Sequence, residues 1–276
     1  MKTVIIGNGI SGITSARWIR KLSDHSITVI SSETEYFFSR TALMYAYMGH
    51  MRKVDMQPYE PYFWEKNRID LVQDHVTNID FQGKSLTLKS GKNVSYDKLI
   101  LALGSKPNKF GWPGQDLKRV SGLYSMQDLD YMEEHSSGLK RAVIVGGGLI
   151  GIEMAEMFRS RNIDVTLLVR EKSYWSNILP AEESEMVTRH ILDHHIDLRL
   201  GVNLQEIIDD GKGQACGVII KETGERIDCG YVGLTAGVSP NVAFLKESDL
   251  KVERGISVDN NLQTNIPDVY LSLIHI

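Results

Sequence analysis

KTVIIGNGISGITSA at residues 2 to 16 and RAVIVGGGLIGIEMA at residues 141 to 155 align without a gap at an offset of 139. In each copy an apolar run, Val4-Ile5-Ile6 or Val143-Ile144-Val145, has the continuous hydrophobic character of a parallel strand buried on both faces. Each run enters a Gly-x-Gly-x-x-Gly turn, Gly7, Gly9 and Gly12 in the first copy and Gly146, Gly148 and Gly151 in the second. In such a turn the first glycine permits the tight strand-to-helix bend, the second lets the main chain approach a pyrophosphate, and the third lets the helix pack on the sheet. The helix N-terminus then faces the anion.

The match continues downstream. SITVISSE (26 to 33) sits on DVTLLVRE (164 to 171), so strand, glycine turn, helix and strand occur twice. Glu33 lies 21 residues after Gly12 and Glu171 lies 20 after Gly151, where a carboxylate can bond a ribose hydroxyl. Further on, YDKLILALGSKPN (96 to 108) resembles DCGYVGLTAGVSPN (228 to 241), both ending in Gly-x-x-Pro-Asn. Before each comes an alternating stretch broken by glycine, LTLKSGKNVSY and VIIKETGERID, which reads as a β-meander. The expected fold is therefore α/β, with two Rossmann-like dinucleotide-binding domains, one inserted in the other, each carrying a β-meander. The second domain is expected to begin near Leu123 and end near Asn241, with residues 242 to 270 returning to the first.

Composition narrows the function classes. The 276 residues hold 42% hydrophobic and 24% charged side chains, ordinary globular values that exclude disordered and fibrous classes. With 31 Lys+Arg against 35 Asp+Glu, a net charge of -4 and no long basic run, neither nucleic acid nor an anionic membrane is the expected partner. No stretch is apolar enough to span a bilayer, and the first residues lack a signal-peptide core, so a cytoplasmic location is expected. Cys216 and Cys229 are too few for a disulfide framework or a zinc site and read as packing residues. His190, His194 and His195 fall where a helix ends, where cations are favoured, so no metal is assigned to them. Tyr59, Tyr62, Phe63 and Trp64 read as a packed connection, and Trp112-Pro113-Gly114 as a turn between domains.

With these residues in place, the chain resembles the FAD- and NAD(P)H-dependent pyridine nucleotide oxidoreductases over essentially residues 1 to 270. YDKLILALGSKP resembles the family's Tyr-Asp-x-Leu-Ile-x-Ala-Thr-Gly segment, LTAGVSPN its second Gly-x-x-Pro-Asn segment, and TNIPDVY the lead-in to its Ala-x-Gly-Asp flavin motif. The resemblance implies FAD at the first turn, with residues 1–122 and 242–270 as the FAD-binding domain, and NAD(P)H at the second, in residues 123–241. Within the echoing segments Ala102, Gly104 and Gly237 are implied cofactor contacts. Leu103 replaces the usual threonine, and Gly104 still permits close approach.

Branches of this family differ in how electrons leave the flavin. FFSRTALMYAYMGH (37 to 50) has Arg40 where a single redox cysteine would fall, which excludes a thiol mechanism. It resembles the rubredoxin or ferredoxin reductase branch and the flavin domain of nitrite reductases, where the arginine contacts the flavin nucleotide's phosphates. Tyr45 stands where those relatives often carry a lysine. Glu153, by resemblance, lies beside the nicotinamide near the flavin; its plain physical reading is stabilisation of a helix's first turn. Donor choice stays open: Arg170 can pair with the 2'-phosphate of NADPH, whereas Glu171 accepts from the NADH ribose and repels that phosphate. The implied acceptor is a rubredoxin- or ferredoxin-like protein, a quinone, oxygen or a nitrite reductase module, and the oligomeric state is left open. The alternative reading is a redox-state sensor resembling the apoptosis-inducing flavoproteins.

After Tyr270 the family motif is expected to continue, but the chain reads LSLIHI. CTG TCT CTT ATA CAC ATC, the end sequence of transposase-type sequencing adapters, encodes that hexapeptide. Residues 271–276 are therefore expected to be an adapter-derived artefact on a truncated flavoprotein.

Overall fold

The computed structural model describes residues 1 to 271. The expected adapter-derived segment lies outside the described residues except for Leu271. In chain order, β1 (Lys2–Ile6), α1 (Ile10–Leu22) and β2 (Ser26–Ser31) form the first βαβ unit, followed by the short helices α2 (Leu43–Tyr47) and α3 (Tyr62–Lys66). Then come β3 (Ile69–Gln73), the antiparallel β4 (Val76–Asp80), β5 (Ser85–Leu88) and β6 (Asn93–Ser95), and β7 (Lys98–Leu101). After β8 (Ser105–Pro107) the pattern repeats with β9 (Val120–Ser121), α4 (Met126–Ser136), β10 (Arg141–Val145), α5 (Leu149–Ser160) and β11 (Asp164–Val169). It is completed by α6 (Ala181–Asp193), β12 (Ile196–Leu200), the antiparallel β13 (Leu204–Asp209), β14 (Ala215–Ile220) and β15 (Arg226–Asp228), and β16 (Tyr231–Leu234). β17 (Val238–Pro240) and β18 (Val269–Leu271) close the described chain.

Two compact units result. The first comprises Met1–Ala42, Arg52–Lys106 and, among the described residues, 239–271; the second comprises Leu43–Met51 and Pro107–Val238. The boundaries thus fall at 106/107 and 238/239 rather than near Leu123 and Asn241. The apolar helix α2 also belongs with the second unit, although it follows Arg40 directly in sequence. Its placement has a packing cause. Tyr47, 1% exposed, meets Phe158 edge-on, while the Arg161 guanidinium lies 3.5 Å from the Tyr47 ring centroid and donates to its carbonyl.

In the first unit a parallel sheet runs β18-β7-β1-β2-β3, with Val4 opposite both Thr28 and Leu99. Val4 and Ile5 are both fully buried, one in each of two apolar clusters on the opposite faces of the sheet, as a continuous apolar strand requires. The second unit's parallel sheet, β12-β11-β10-β16-β9, repeats that centre with Val143 opposite Thr166 and Val232. Both expected meanders form, as the three-stranded sheets β4-β5-β6 and β13-β14-β15.

Smaller readings resolve locally. Tyr59 stacks on Phe63 at 4.3 Å and Trp64 is 3% exposed, so that cluster packs a connection, with Tyr62 outside it. Trp112-Pro113-Gly114 is not a turn between domains. Ile207 donates its N–H to the Pro113 carbonyl, and the Gly114 α-carbon lies so close to the Ile207 carbonyl that a methyl group there would be at 2.2 Å, placing the turn inside the second unit. No helix among the described residues is long and apolar enough to cross a membrane.

Candidate functional site

The first glycine turn is built by close approach. A β-carbon on Gly7 would lie 2.0 Å from the Ala102 carbonyl oxygen, and one on Gly12 would lie 2.0 Å from that of Gly7. Gly7 also takes a φ of +110°, so both positions demand glycine. Gly9 differs: it is the N-cap of α1, and a β-carbon there would meet nothing within 4 Å. Asn8, 5% exposed, steadies the turn by donating from Nδ2 to the Thr34 carbonyl at 2.8 Å and accepting from Ser31 Oγ at 2.9 Å.

The second turn repeats this design. A β-carbon on Gly151 would fall 2.0 Å from the Gly146 oxygen, one on Gly146 (φ +118°) 2.7 Å from the Thr235 oxygen, and one on Gly148, the α5 N-cap, would meet nothing. Thr235 is a residue that sequence reading passed over. Its hydroxyl donates to the carbonyls of Val145 and Gly146 at 3.0 and 3.1 Å, tying β16 to the turn. Alignment of the two halves puts Thr235 on Ala102, and that was the available signal.

Both helices start without a side-chain cap and without an acidic residue in the first turn. α4 shows the contrast: Ser125 accepts from the Asp128 N–H and the Asp128 carboxylate returns the bond. Uncapped N–H groups at a helix start are unsatisfied donors, and together with the helix dipole they form an anion site. The first helical residues, Ile10 and Leu149, are 61% and 66% exposed beside them.

Around the first turn stand Glu33 and Arg40, with Ala102 and Gly104 following β7. Arg40 donates to both Glu33 oxygens, at 3.0 and 2.7 Å. The Gly104 carbonyl accepts from the Asn241 N–H. Around the second turn stand Arg170 and Glu171, which pair through Arg170 Nε at 2.8 Å, with the arginine 77% and the glutamate 29% exposed. Gly237 takes a φ of +86° beside Asn108. Glu153 is the fifth residue of α5, beyond the first turn, so helix-end stabilisation does not account for it. Burial, and then the charge of Glu156, push its carboxyl above the usual range, the reverse of what a dipole-stabilised carboxylate shows.

Both cysteines lie in the second unit's meander region, and burial pushes the Cys229 thiol up to about 12, which makes it inert. His194 uses Nδ1 on the His190 carbonyl at the end of α6. A groove of about 520 Å³ lined by Arg17, Trp18, Lys21 and Phe63 lies at the far end of α1 from the glycine turn.

Known proteins share this fold. Residues 1–272 match the model of the pyridine nucleotide-disulphide oxidoreductase family. Among curated relatives, NADH oxidase of Methanocaldococcus jannaschii is 31% identical over 98% of this chain and 62% of its own length. Nitrite reductase [NAD(P)H] of Bacillus subtilis is 28% identical, with 97% of this chain and 33% of its own length covered. The chain thus spans from a third to under two thirds of these relatives. Among solved structures, a ferredoxin reductase from Rhodopseudomonas palustris superposes with a TM-score of 0.91 at 25% identity, over 98% of this chain and 67% of that one. NADH:rubredoxin oxidoreductase from Clostridium acetobutylicum does so with a TM-score of 0.82 at 27% identity, over the same shares. The duplicated turns, the meanders and these matches agree: the chain belongs to the pyridine nucleotide-disulphide oxidoreductase family.

Proposed function

We propose that the chain is the nucleotide-binding part of a flavoprotein oxidoreductase, with FAD at the first glycine turn and NAD(P)H at the second. The observation that carries this reading is the pair of uncapped helix starts, each with a glycine N-cap beside open space. When bound, the nicotinamide supplies a hydride and the flavin accepts it and releases the electrons to a separate acceptor. The protein's part is to hold and orient. In the first unit the main-chain N–H groups at Gly9 and the start of α1 take the pyrophosphate, Glu33 accepts from a ribose hydroxyl, and Arg40 serves both Glu33 and the phosphates. In the second, the N–H groups at Gly148 and the start of α5 take the other pyrophosphate, Arg170 and Glu171 face the adenosine ribose, and Glu153 positions the nicotinamide.

Electrons leave to a small carrier protein of rubredoxin or ferredoxin type, a nitrite-reducing module, a quinone or oxygen. The names of the relatives, an oxidase, a nitrite reductase and rubredoxin and ferredoxin reductases, support the carrier protein, the nitrite-reducing module and oxygen within this range. No thiol takes part. An anaerobic titration of the FAD-loaded chain with NADH and separately NADPH tests the reading through the flavin absorbance. Bleaching by one equivalent of one donor is expected and also settles donor choice; a yellow protein that neither donor bleaches overturns the second site.

A further inference from the structure

The two glycine turns are pinned from opposite directions. In the first, the middle residue Asn8 reaches out to Ser31 at the end of β2 and to Thr34 beyond it. In the second, that position is Gly147, where a β-carbon would lie 2.8 Å from Val169 and 3.2 Å from the Tyr174 ring. The bond comes instead from the segment beyond β11: Trp175 Nε1 donates to the Gly147 carbonyl at 2.6 Å.

Trp175 is held for this contact. It takes a φ of +55°, a left-handed conformation that bulky residues rarely adopt and that persists only where the surroundings enforce it. Its ring stacks on Tyr174, which is 1% exposed and whose carbonyl accepts from Ser184 of α6. Its own carbonyl accepts from the N–H groups of Ile178 and Leu179.

The carbonyl of Gly147 and the N–H of Gly148 belong to one planar peptide and point in opposite directions. Fixing the carbonyl against the indole therefore aims that N–H away from the Trp175 segment. The Gly148 N–H has no partner among the described residues, and the space at Gly148 is open. We propose that Trp175 is a positioning residue for nucleotide binding in the second unit: its indole N–H locks the Gly147–Gly148 peptide with the N–H presented to a pyrophosphate. This rests on reading the second turn as a dinucleotide site.

Calorimetric titration of the purified chain with ADP-ribose, and with adenosine, which carries a ribose but no phosphate, tests it. Trp175→Phe keeps an aromatic ring and removes the donor; its thermal melt reports whether the loop still packs. The expected result is a melt within a few degrees of the parent, ADP-ribose affinity lower by about tenfold, and adenosine affinity unchanged. Equal ADP-ribose affinity in parent and variant, or an equal loss for adenosine, overturns the role of Trp175 while leaving the site standing. If the parent binds neither ADP-ribose nor NADH, the site assignment and the role of Trp175 fall together.

Discussion

Arg40 donates to both carboxylate oxygens of Glu33, at 3.0 and 2.7 Å, so the two residues expected to meet different parts of the flavin nucleotide form one bidentate unit. Their side chains are 31% and 19% exposed, which limits what the pair adds to folding. Its effect should appear in FAD affinity, where neither residue acts alone. In a cycle of Glu33→Gln, Arg40→Met and the double variant, followed by flavin fluorescence on dilution, the double variant should lose less than the sum of the singles. A coupling of about 1 kcal/mol is expected, and strict additivity would show that the pair does not act as one.

Gly9 and Gly12 separate ligand approach from folding. Gly12→Ala drives a methyl group against the Gly7 carbonyl and should destabilise the first unit by about 2–3 kcal/mol in denaturant melts. Gly9→Ala meets no protein atom and sits at a φ of -69°, so the melt should hold while FAD retention falls. Undiminished FAD binding by Gly9→Ala would place the nucleotide elsewhere.

For Glu153 the sign follows from burial. With its folded pKa raised, the folded chain holds the proton more tightly than the unfolded one. The resulting stabilisation is complete below the unfolded glutamate value and is lost as pH rises through the folded one. Glu153→Gln should therefore melt higher than the parent at pH 7, with the gap closing by about pH 4, and should slow flavin reduction by about tenfold to a hundredfold. An unchanged reduction rate would leave Glu153 with no part in nicotinamide placement.

Asp268 behaves in the opposite sense. Lys84 and Lys98, at 2.6 and 2.9 Å, hold its carboxyl down at about 2. That contribution is present above the unfolded aspartate value and disappears as pH falls through about 2. Asp268→Asn keeps the left-handed backbone, φ +63°, within reach of its side chain, so the loss reports charge alone. With the side chain a third exposed, about 1 kcal/mol at pH 7 is expected, shrinking with acid.

Thiol chemistry can be removed outright. A Cys216→Ser, Cys229→Ala chain should reduce its acceptor at the parent rate, and a thiol alkylating agent should leave the parent's rate intact. A tenfold loss in either experiment would return a cysteine to the mechanism.

The duplicated βαβ units were legible because each rests on local patterns: a continuous apolar strand, three glycines at fixed spacing, and a strand ending shortly before a glutamate. The meanders followed from alternation and glycine placement. Partners chosen across long stretches of chain were not legible. α2 is five residues long, and its allegiance to the second unit is decided by the Tyr47–Arg161–Phe158 packing more than a hundred residues away. Trp112-Pro113-Gly114 reads as a turn from its residues, but its docking on β13 depends on Ile207, whose N–H meets the Pro113 carbonyl and whose own carbonyl lies against Gly114. Trp175 was hidden for a different reason: local preference argues against a left-handed tryptophan, and tertiary contacts overrule it.

The opposed pinning of the two turns means that the halves have ceased to be interchangeable parts. Transplanting GNGISG into the second position would push an asparagine side chain into Val169 and Tyr174. The reverse graft would remove the side chain that Ser31 and Thr34 now engage. Recombination between the copies, in the laboratory or over generations of a gene, therefore has to carry the turn and the segment after the next strand as a single cassette.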